Sequence, residues 1–159
     1  MERRCLMAMM TRPGYTDFGK LLLRVAIGAL MLFHGVDKII HKQEHFDPIK
    51  GMVAAHNMPE LVAYGVYVGE VIAPAMLVVG FFTRAAALVV AFNMAVAVFL
   101  AHQNMLGSIV QGGAYALELQ SLYFFGALAV FFLGAGRFSI DGLVFKTPTA
   151  LPPATIKTV

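Results

Sequence analysis

The sequence LLLRVAIGALMLFHGVDKII at residues 21–40 decides the fold, because it is apolar over the length of a membrane-spanning helix. It nevertheless carries four ionisable residues, Arg24, His34, Asp37 and Lys38. A second apolar run, residues 61–82, carries Glu70 near its middle. A charge at the centre of a bilayer costs about 2.5–3.5 kcal/mol on insertion scales. We therefore expect these groups to pair, to line a wet cavity or to take part in chemistry.

The composition predicts an integral membrane protein with one compact helical domain. The chain has 159 residues, of which 59% are hydrophobic and only 13% are charged, whereas soluble domains carry about 25% charged residues. The net charge of +3 does not indicate a nucleic-acid partner, because the basic residues stand at segment ends and form no patch. Cys5 is the single cysteine, which excludes an internal disulfide and a cysteine-based metal cluster. Redox chemistry would therefore need a bound cofactor or a partner protein.

Four apolar segments predict four membrane spans, at about residues 18–40, 61–82, 84–102 and 115–133. Thr16 or Asp17 is expected to cap the first helix. In the second, Pro74 has no N–H to bond the carbonyl of Glu70, so we expect a kink there. Gly80 can end that helix and Thr83 can cap the next, which makes these two spans an antiparallel hairpin. Between the first two spans, residues 41–60 form a polar connection that is expected to contain a short interfacial helix.

The placement of lysine and arginine predicts that both termini are cytoplasmic. The two terminal segments and the turn near residue 84 carry more of these residues than the opposite side does. The fold class is thus an all-α, four-helix, multi-pass membrane bundle with residues 41–60 and 103–114 on the outer side. We divide the chain into a cytoplasmic segment (1–16), a four-span domain (17–142) and a flexible cytoplasmic tail (143–159).

Polar residues from several spans are predicted to meet in the outer half of the bundle. They are His34, Asp37, Lys38, Glu70, His102 and Glu118. On α-helical spacing, His34, Asp37, Lys38 and His41 form one stripe of the first span. The alternative is that ion pairs between Asp37 and Lys38, or between Lys38 and Glu118, merely sit at the interface with water.

Glu70 is the candidate catalytic residue, since an acid within the membrane is a functional candidate by default. It is either a neutral acid that moves a proton or an anion held by a cation. Arg24 could reach it from the inner side, and Lys38 from the outer side. We favour the first reading, because Pro74 frees the Glu70 carbonyl and a structural ion pair needs no such kink.

Metal binding is not predicted from these polar residues. His34, His102, Glu70 and Glu118 offer nitrogen and oxygen donors, but these four contain no HxxxH or ExxH pair on one helix. A haem would require His34 and His102 as axial ligands at matched depth. We expect neither a metal nor a haem.

The order of motifs resembles the DoxX family of small bacterial inner-membrane proteins. The chain has LLLRVAIG, HGVDK, VGEVIAPAMLVVG, GFFTRAAAL, ALELQ and GAGRFSID in sequence, between residues 20 and 142. The resemblance implies a four-helix bundle that is linked to membrane redox systems, some of them quinone-dependent. The family's polar positions correspond here to Arg24, His34, Lys38, Glu70, Arg84, Glu118, Arg137 and Asp141. The lack of a cysteine pair places a thiol-exchange role in doubt.

Two function classes remain open at this point. In the first, the chain is a subunit of an oxidoreductase and binds a quinone in the outer half, with Glu70 as the proton carrier. The candidate cofactor-binding residues are His34, Lys38, Glu70, His102 and Glu118. In the second, it is a non-catalytic anchor or assembly partner in the inner membrane, beside an oxidoreductase subunit or another copy of itself.

A small-solute or metal permease is a third, weaker hypothesis. The sequence has no nucleotide fingerprint and no nucleophile–base motif, which disfavours a self-contained enzyme.

Overall fold

The computed structural model describes residues 13–110 and 112–144. The helices in these residues are α1 (Pro13–Ile40), α2 (Asp47–Ala55), α3 (Leu61–Val79), α4 (Thr83–Ala101), α5 (Glu118–Leu133) and α6 (Ile140–Val144). The extended structure among them is limited to an isolated bridge between Ile109 and Tyr115. The all-α prediction is therefore confirmed. Predictions about residues 1–12 and 145–159, including most of the tail, lie outside the described residues.

Three helices, α1, α3 and α4, have the length and apolar composition needed to cross a membrane. The fourth apolar helix, α5, has 16 residues, which is about 24 Å at 1.5 Å per residue. A hydrocarbon core is about 30 Å thick, so α5 is shorter than the span predicted at residues 115–133. The chain is a helical membrane protein with three described helices that are long and apolar enough to cross a membrane and one shorter apolar helix.

Helices α1, α3, α4 and α5 form a closed bundle, in which α1 and α4 each contact both α3 and α5. The central core consists of apolar side chains from all four helices, among them Ile27, Met31, Leu77, Val90, Tyr123 and Val130. A second, smaller cluster of Phe46, Val53 and Ala63 lies under α2. We call this end of the bundle the α2 end and the opposite one the Arg24 end.

Glycine allows α1 and α3 to touch backbone to backbone. A Cβ atom added at Gly35 would lie 2.2 Å from the carbonyl oxygen of Glu70, and one at Gly28 would lie 2.9 Å from that of Pro74. Larger residues would force the helices apart. The two glycines are seven residues apart and share one helix face, so they fix how α1 is rotated against α3.

A π-turn interrupts α3 at Val68–Ile72, and Glu70 lies inside it. The N–H of Ala73 donates to the carbonyl of Val68, five residues back. The kink expected at Pro74 is thus found as a widened turn just before the proline. Such turns are rare and frequently lie at functional sites.

The short helix predicted in residues 41–60 is present as α2. Val53 of α2 and Phe46, the residue before that helix, are buried in one cluster with Ala63 of α3. An ion pair of 2.8 Å between Lys50 Nζ and Glu60 Oε1 joins α2 to the start of α3. The hydrogen bond and the charge of Lys50 lower the pKa of the Glu60 carboxyl group. The same hydrogen bond raises the pKa of Lys50.

At the Arg24 end, the prediction that Gly80 ends α3 is confirmed, since Gly80 is its C-cap with φ 74°, whereas the N-caps predicted at Thr16 or Asp17 and at Thr83 were wrong. Helix α1 already includes Pro13, so Asp17 lies within it, where its carboxylate is 3.9 Å from Lys20 Nζ. Of the described residues, Asp141 provides the cap of α4, since its carboxylate accepts 2.8 Å hydrogen bonds from the N–H groups of Phe82 and Thr83. Carboxylates are favoured there because helix N-termini carry unpaired N–H groups and positive potential.

Candidate functional site

A direct ion pair joins α1 to the π-turn of α3. Lys38 Nζ donates to both carboxylate oxygens of Glu70, at 2.6 and 2.5 Å. The Glu70 side chain is 5% exposed and the Lys38 side chain 23%. The carboxylate of the pair is therefore buried, whereas the lysine side chain is partly exposed.

The pair has a third polar neighbour on α4. Asn93 Nδ2 lies 3.4 Å from Glu70 Oε1, at the long limit of a hydrogen bond. Gly69 makes room for it, because a Cβ at that position would lie 2.3 Å from the Asn93 side chain. Three helices thus supply the polar groups around the Glu70 carboxylate.

A cavity of about 840 Å³ opens beside this pair, between α3 and α4 and beneath α2. Its polar lining includes Lys38, Glu70, Asn93 and His102, and most of the remaining lining is apolar. Val68 and Phe92 also line it, and both are exposed on the outer face of the bundle. The cavity therefore reaches the surface that faces lipid.

The structure divides the predicted site residues into two groups. Lys38, Glu70 and His102 line the cavity. The second group, His34 and Glu118, is not part of the cavity lining. His34 is exposed, and its ring is perpendicular to that of Tyr123 on α5, with the ring centres 5.9 Å apart. Glu118 is exposed in the first turn of α5. His102 Nδ1 is 3.3 Å from the carbonyl oxygen of Ala97.

Arg24 does not hold Glu70, although it was one of two candidate cations. Its guanidinium is buried at the other end and donates to the carbonyls of Ala135 and Phe138, at 3.0 and 2.7 Å. Gly80 makes this possible, since a Cβ there would lie 2.1 Å from the guanidinium. Arg24 thus ties α1 to the segment that follows α5.

The sequence analysis missed a polar cluster at the end of α1. His41 Nδ1 is 2.9 Å from Asp37 Oδ1, and His45 Nε2 is 3.3 Å from Asp37 Oδ2. His41 and His45 form an HxxxH pair, a signal that is visible in the sequence. The interfacial pairs that we considered, between Asp37 and Lys38 or between Lys38 and Glu118, are replaced by this cluster and by the Lys38–Glu70 pair.

The cavity combines an apolar chamber with a few convergent polar groups, which is the usual make-up of a small-molecule site. Lys38 can donate a hydrogen bond to a ligand oxygen, and the Glu70 carboxylate can accept one. The volume falls within the range of about 300–1,000 Å³ that is typical of ligand pockets.

Comparison with known proteins gives two matches. The family model DoxX matches residues 19–103, which cover most of α1 and all of α2, α3 and α4. An uncharacterized protein of Haemophilus influenzae is 33% identical over 139 residues, which cover 85% of this chain and 94% of that protein. No solved structure matches the chain.

Proposed function

Because the chain belongs to the DoxX family, we propose that it is a membrane subunit of a redox system and binds a quinone-type ring compound in the cavity beside Lys38 and Glu70. The observation that carries the proposal is the contact of one polar pair with a cavity that is otherwise largely apolar. The pair would receive the polar ring, and the apolar walls would receive its hydrocarbon tail.

The position of the pair supports a role in holding ligand oxygen atoms. Lys38 Nζ has three donors, and Glu70 engages it at 2.6 and 2.5 Å, which leaves a donor for a carbonyl oxygen. Glu70 would exchange a proton with the ring, and the electrons would come from a partner oxidoreductase. The sequence has no cysteine pair that could supply the electrons as a dithiol, so the proposal assigns them to the partner.

The proposed setting is the bacterial inner membrane, with several spans and both termini in the cytoplasm. The distribution of lysine and arginine supports this orientation. It places the α2 end, with its cavity, on the outer side. Single cysteines introduced in a Cys5→Ser background at residues 41–58 should react with an external thiol reagent, and cysteines at positions 84 and 137 should not. The reverse labelling would refute the orientation.

The binding proposal can be tested with a variant that fills the cavity. Gly65 lines the cavity, and a Cβ added there meets nothing within 4 Å, so Gly65→Leu should fold and occupy the space. Gly19→Leu is the matched control, since Gly19 is also an exposed helix glycine with open space but lies on α1 away from the cavity. The measurement is the amount of quinone extracted per chain after purification in lipid nanodiscs.

We expect wild type and Gly19→Leu to retain quinone near one molecule per chain, and Gly65→Leu to retain several-fold less. Added quinone should restore binding to the first two proteins and not to the third. Equal quinone content in all three, at the level of the surrounding lipid, would refute the proposal.

A second function, as an anchor or assembly partner without chemistry, is favoured by one observation. The buried ionic groups Arg24, Glu70 and Asp17 all have partners within the chain, as a purely structural bundle requires. This reading predicts a ligand-free protein that co-purifies with an oxidoreductase. The Gly65→Leu variant would then assemble as wild type does.

A further inference from the structure

We propose that Asp37, His41 and His45 form a binding site for a divalent transition-metal ion of the zinc class, at the α2 end of the bundle. The three residues offer one carboxylate oxygen and two imidazole nitrogens, and these donor atoms all lie within 4.8 Å of one another. Zinc in open sites is held by three such protein ligands, and water completes the coordination. The proposal reverses the sequence-based expectation of no metal site.

The spacing of the donor atoms is close to what a zinc ion needs. Ligands about 2.1 Å from the metal in a tetrahedral arrangement lie about 3.4 Å from each other. The two distances from His41 Nδ1 and His45 Nε2 to the Asp37 carboxylate are 2.9 and 3.3 Å. The three side chains are exposed, so small rotations bring the two ring nitrogens together.

The backbone is bent in a way that brings His45 back to Asp37. In an unbroken α-helix, residues eight positions apart are about 12 Å apart along the axis. Helix α1 ends at Ile40, and His41 leaves the helical conformation at φ −103° and ψ 51°. A π-turn over Lys42–Phe46 follows. This break returns the His45 ring to the level of the Asp37 carboxylate, which an ordinary helix would not do.

The neighbouring cations are directed away from the cluster. Lys38 is bound to Glu70, and Lys42 Nζ lies 5.9 Å above the centre of the Phe46 ring. Within the described residues, the recorded partners of the Asp37 side chain are therefore the two imidazoles. A divalent cation could therefore bind the Asp37 carboxylate without displacing a lysine from it.

The chemistry of the donors selects the class of ion. Imidazole suits zinc, copper, nickel and iron, whereas magnesium and calcium prefer sites made of oxygen ligands alone. A site with two nitrogens and one oxygen therefore favours Zn²⁺ over Mg²⁺. His45 also lines the cavity, so the ion would stand at the polar edge of that chamber.

The test is a titration of the full chain, in mild detergent and with a purification tag that contains no histidine. Zn²⁺ binding is measured by calorimetry, and Co²⁺ is used as a spectroscopic probe of nitrogen ligation. The double variant His41→Ala with His45→Ala removes two ligands at exposed positions. The control is His56→Ala, which removes an exposed histidine whose Nδ1 contacts the carbonyl of Met52 outside the cluster.

We expect one Zn²⁺ per chain in wild type and in His56→Ala, and binding at least about tenfold weaker in the double variant, since even outer-shell losses cost 10–100-fold. Zn²⁺ should also raise the unfolding temperature of the first two proteins and not of the third. Unaltered Zn²⁺ binding in the double variant would overturn the proposal. Loss of binding in His56→Ala of the same size would overturn it as well.

Discussion

The substitution Glu70→Gln should destabilise the bundle, because the structure pairs this carboxylate directly with Lys38. Glutamine keeps the shape of the side chain and can still accept a hydrogen bond, but it carries no charge. Lys38 would then hold an ammonium group at the end of α1 without its counter-ion. If Glu70 were instead a neutral, unpaired acid in the resting bundle, glutamine would leave stability unchanged.

The size of the loss follows from the burial of the two partners. Breaking a fully buried pair costs about 3–5 kcal/mol, because one charge remains buried. Here the remaining partner, Lys38, has a 23% exposed side chain and can turn its ammonium group toward water. The loss should therefore be near the value of about 1.5–3 kcal/mol for hydrogen bonds to charged groups.

The assay measures the free energy of unfolding in bicelles by circular dichroism. It compares the single variants Glu70→Gln and Lys38→Met with the double variant that carries both substitutions. Replacing both partners of an ion pair is often close to neutral, so the double variant should lose less than the sum of the single losses. Glu118→Gln, at an exposed position, is the control and should change stability by no more than about 0.5 kcal/mol. The ion-pair argument fails if Glu70→Gln behaves like this control, or if the two single losses are additive.

Three further predictions test other parts of the structure. Gly35→Ala should destabilise the bundle by about 1–3 kcal/mol in the same unfolding assay, since the new methyl group would meet the Glu70 carbonyl; a stability equal to wild type would disprove the backbone contact. Asp141→Ala should cost about 0.5–2 kcal/mol, as the loss of a helix cap does, and Asp141→Asn should cost less; equal stability of all three proteins would count against the cap. Lys50→Met should raise the pKa of Glu60 toward its ordinary value, because Lys50 is what lowers it; carboxyl ¹³C shifts in a pH titration measure this, and an unmoved midpoint would contradict the ion pair.

Local patterns in the sequence were sufficient to predict the three long helices and the short helix within residues 41–60. Apolar length marks the long spans, and helical spacing marks α2. Pro74 correctly located a backbone irregularity next to Glu70, although its form is a π-turn. The HxxxH pair of His41 and His45 is also a local signal. It was not predicted as a metal site because the polar stripe of the first span was taken to end at His41.

Which cation pairs with Glu70 could not be read from the sequence, because it depends on contacts between helices. Arg24 and Lys38 both lie on α1, and their depths alone did not separate them. The choice is made by the rotation of α1 on α3, which the contact at Gly35 fixes. The cap from Asp141 on α4 joins residues 58 and 59 positions apart, so it too follows only from the assembled bundle.

The partners of the two α1 cations lie far later in the chain, which has a consequence for biogenesis. Lys38 pairs with Glu70, 32 positions later in the sequence, and Arg24 donates to carbonyl groups 111 and 114 positions later. Because a chain emerges from the ribosome N-terminus first, α1 emerges before the residues that pair with Lys38 and Arg24. Among the described residues, Arg24 therefore finds its partners only after the segment that follows α5 has been made.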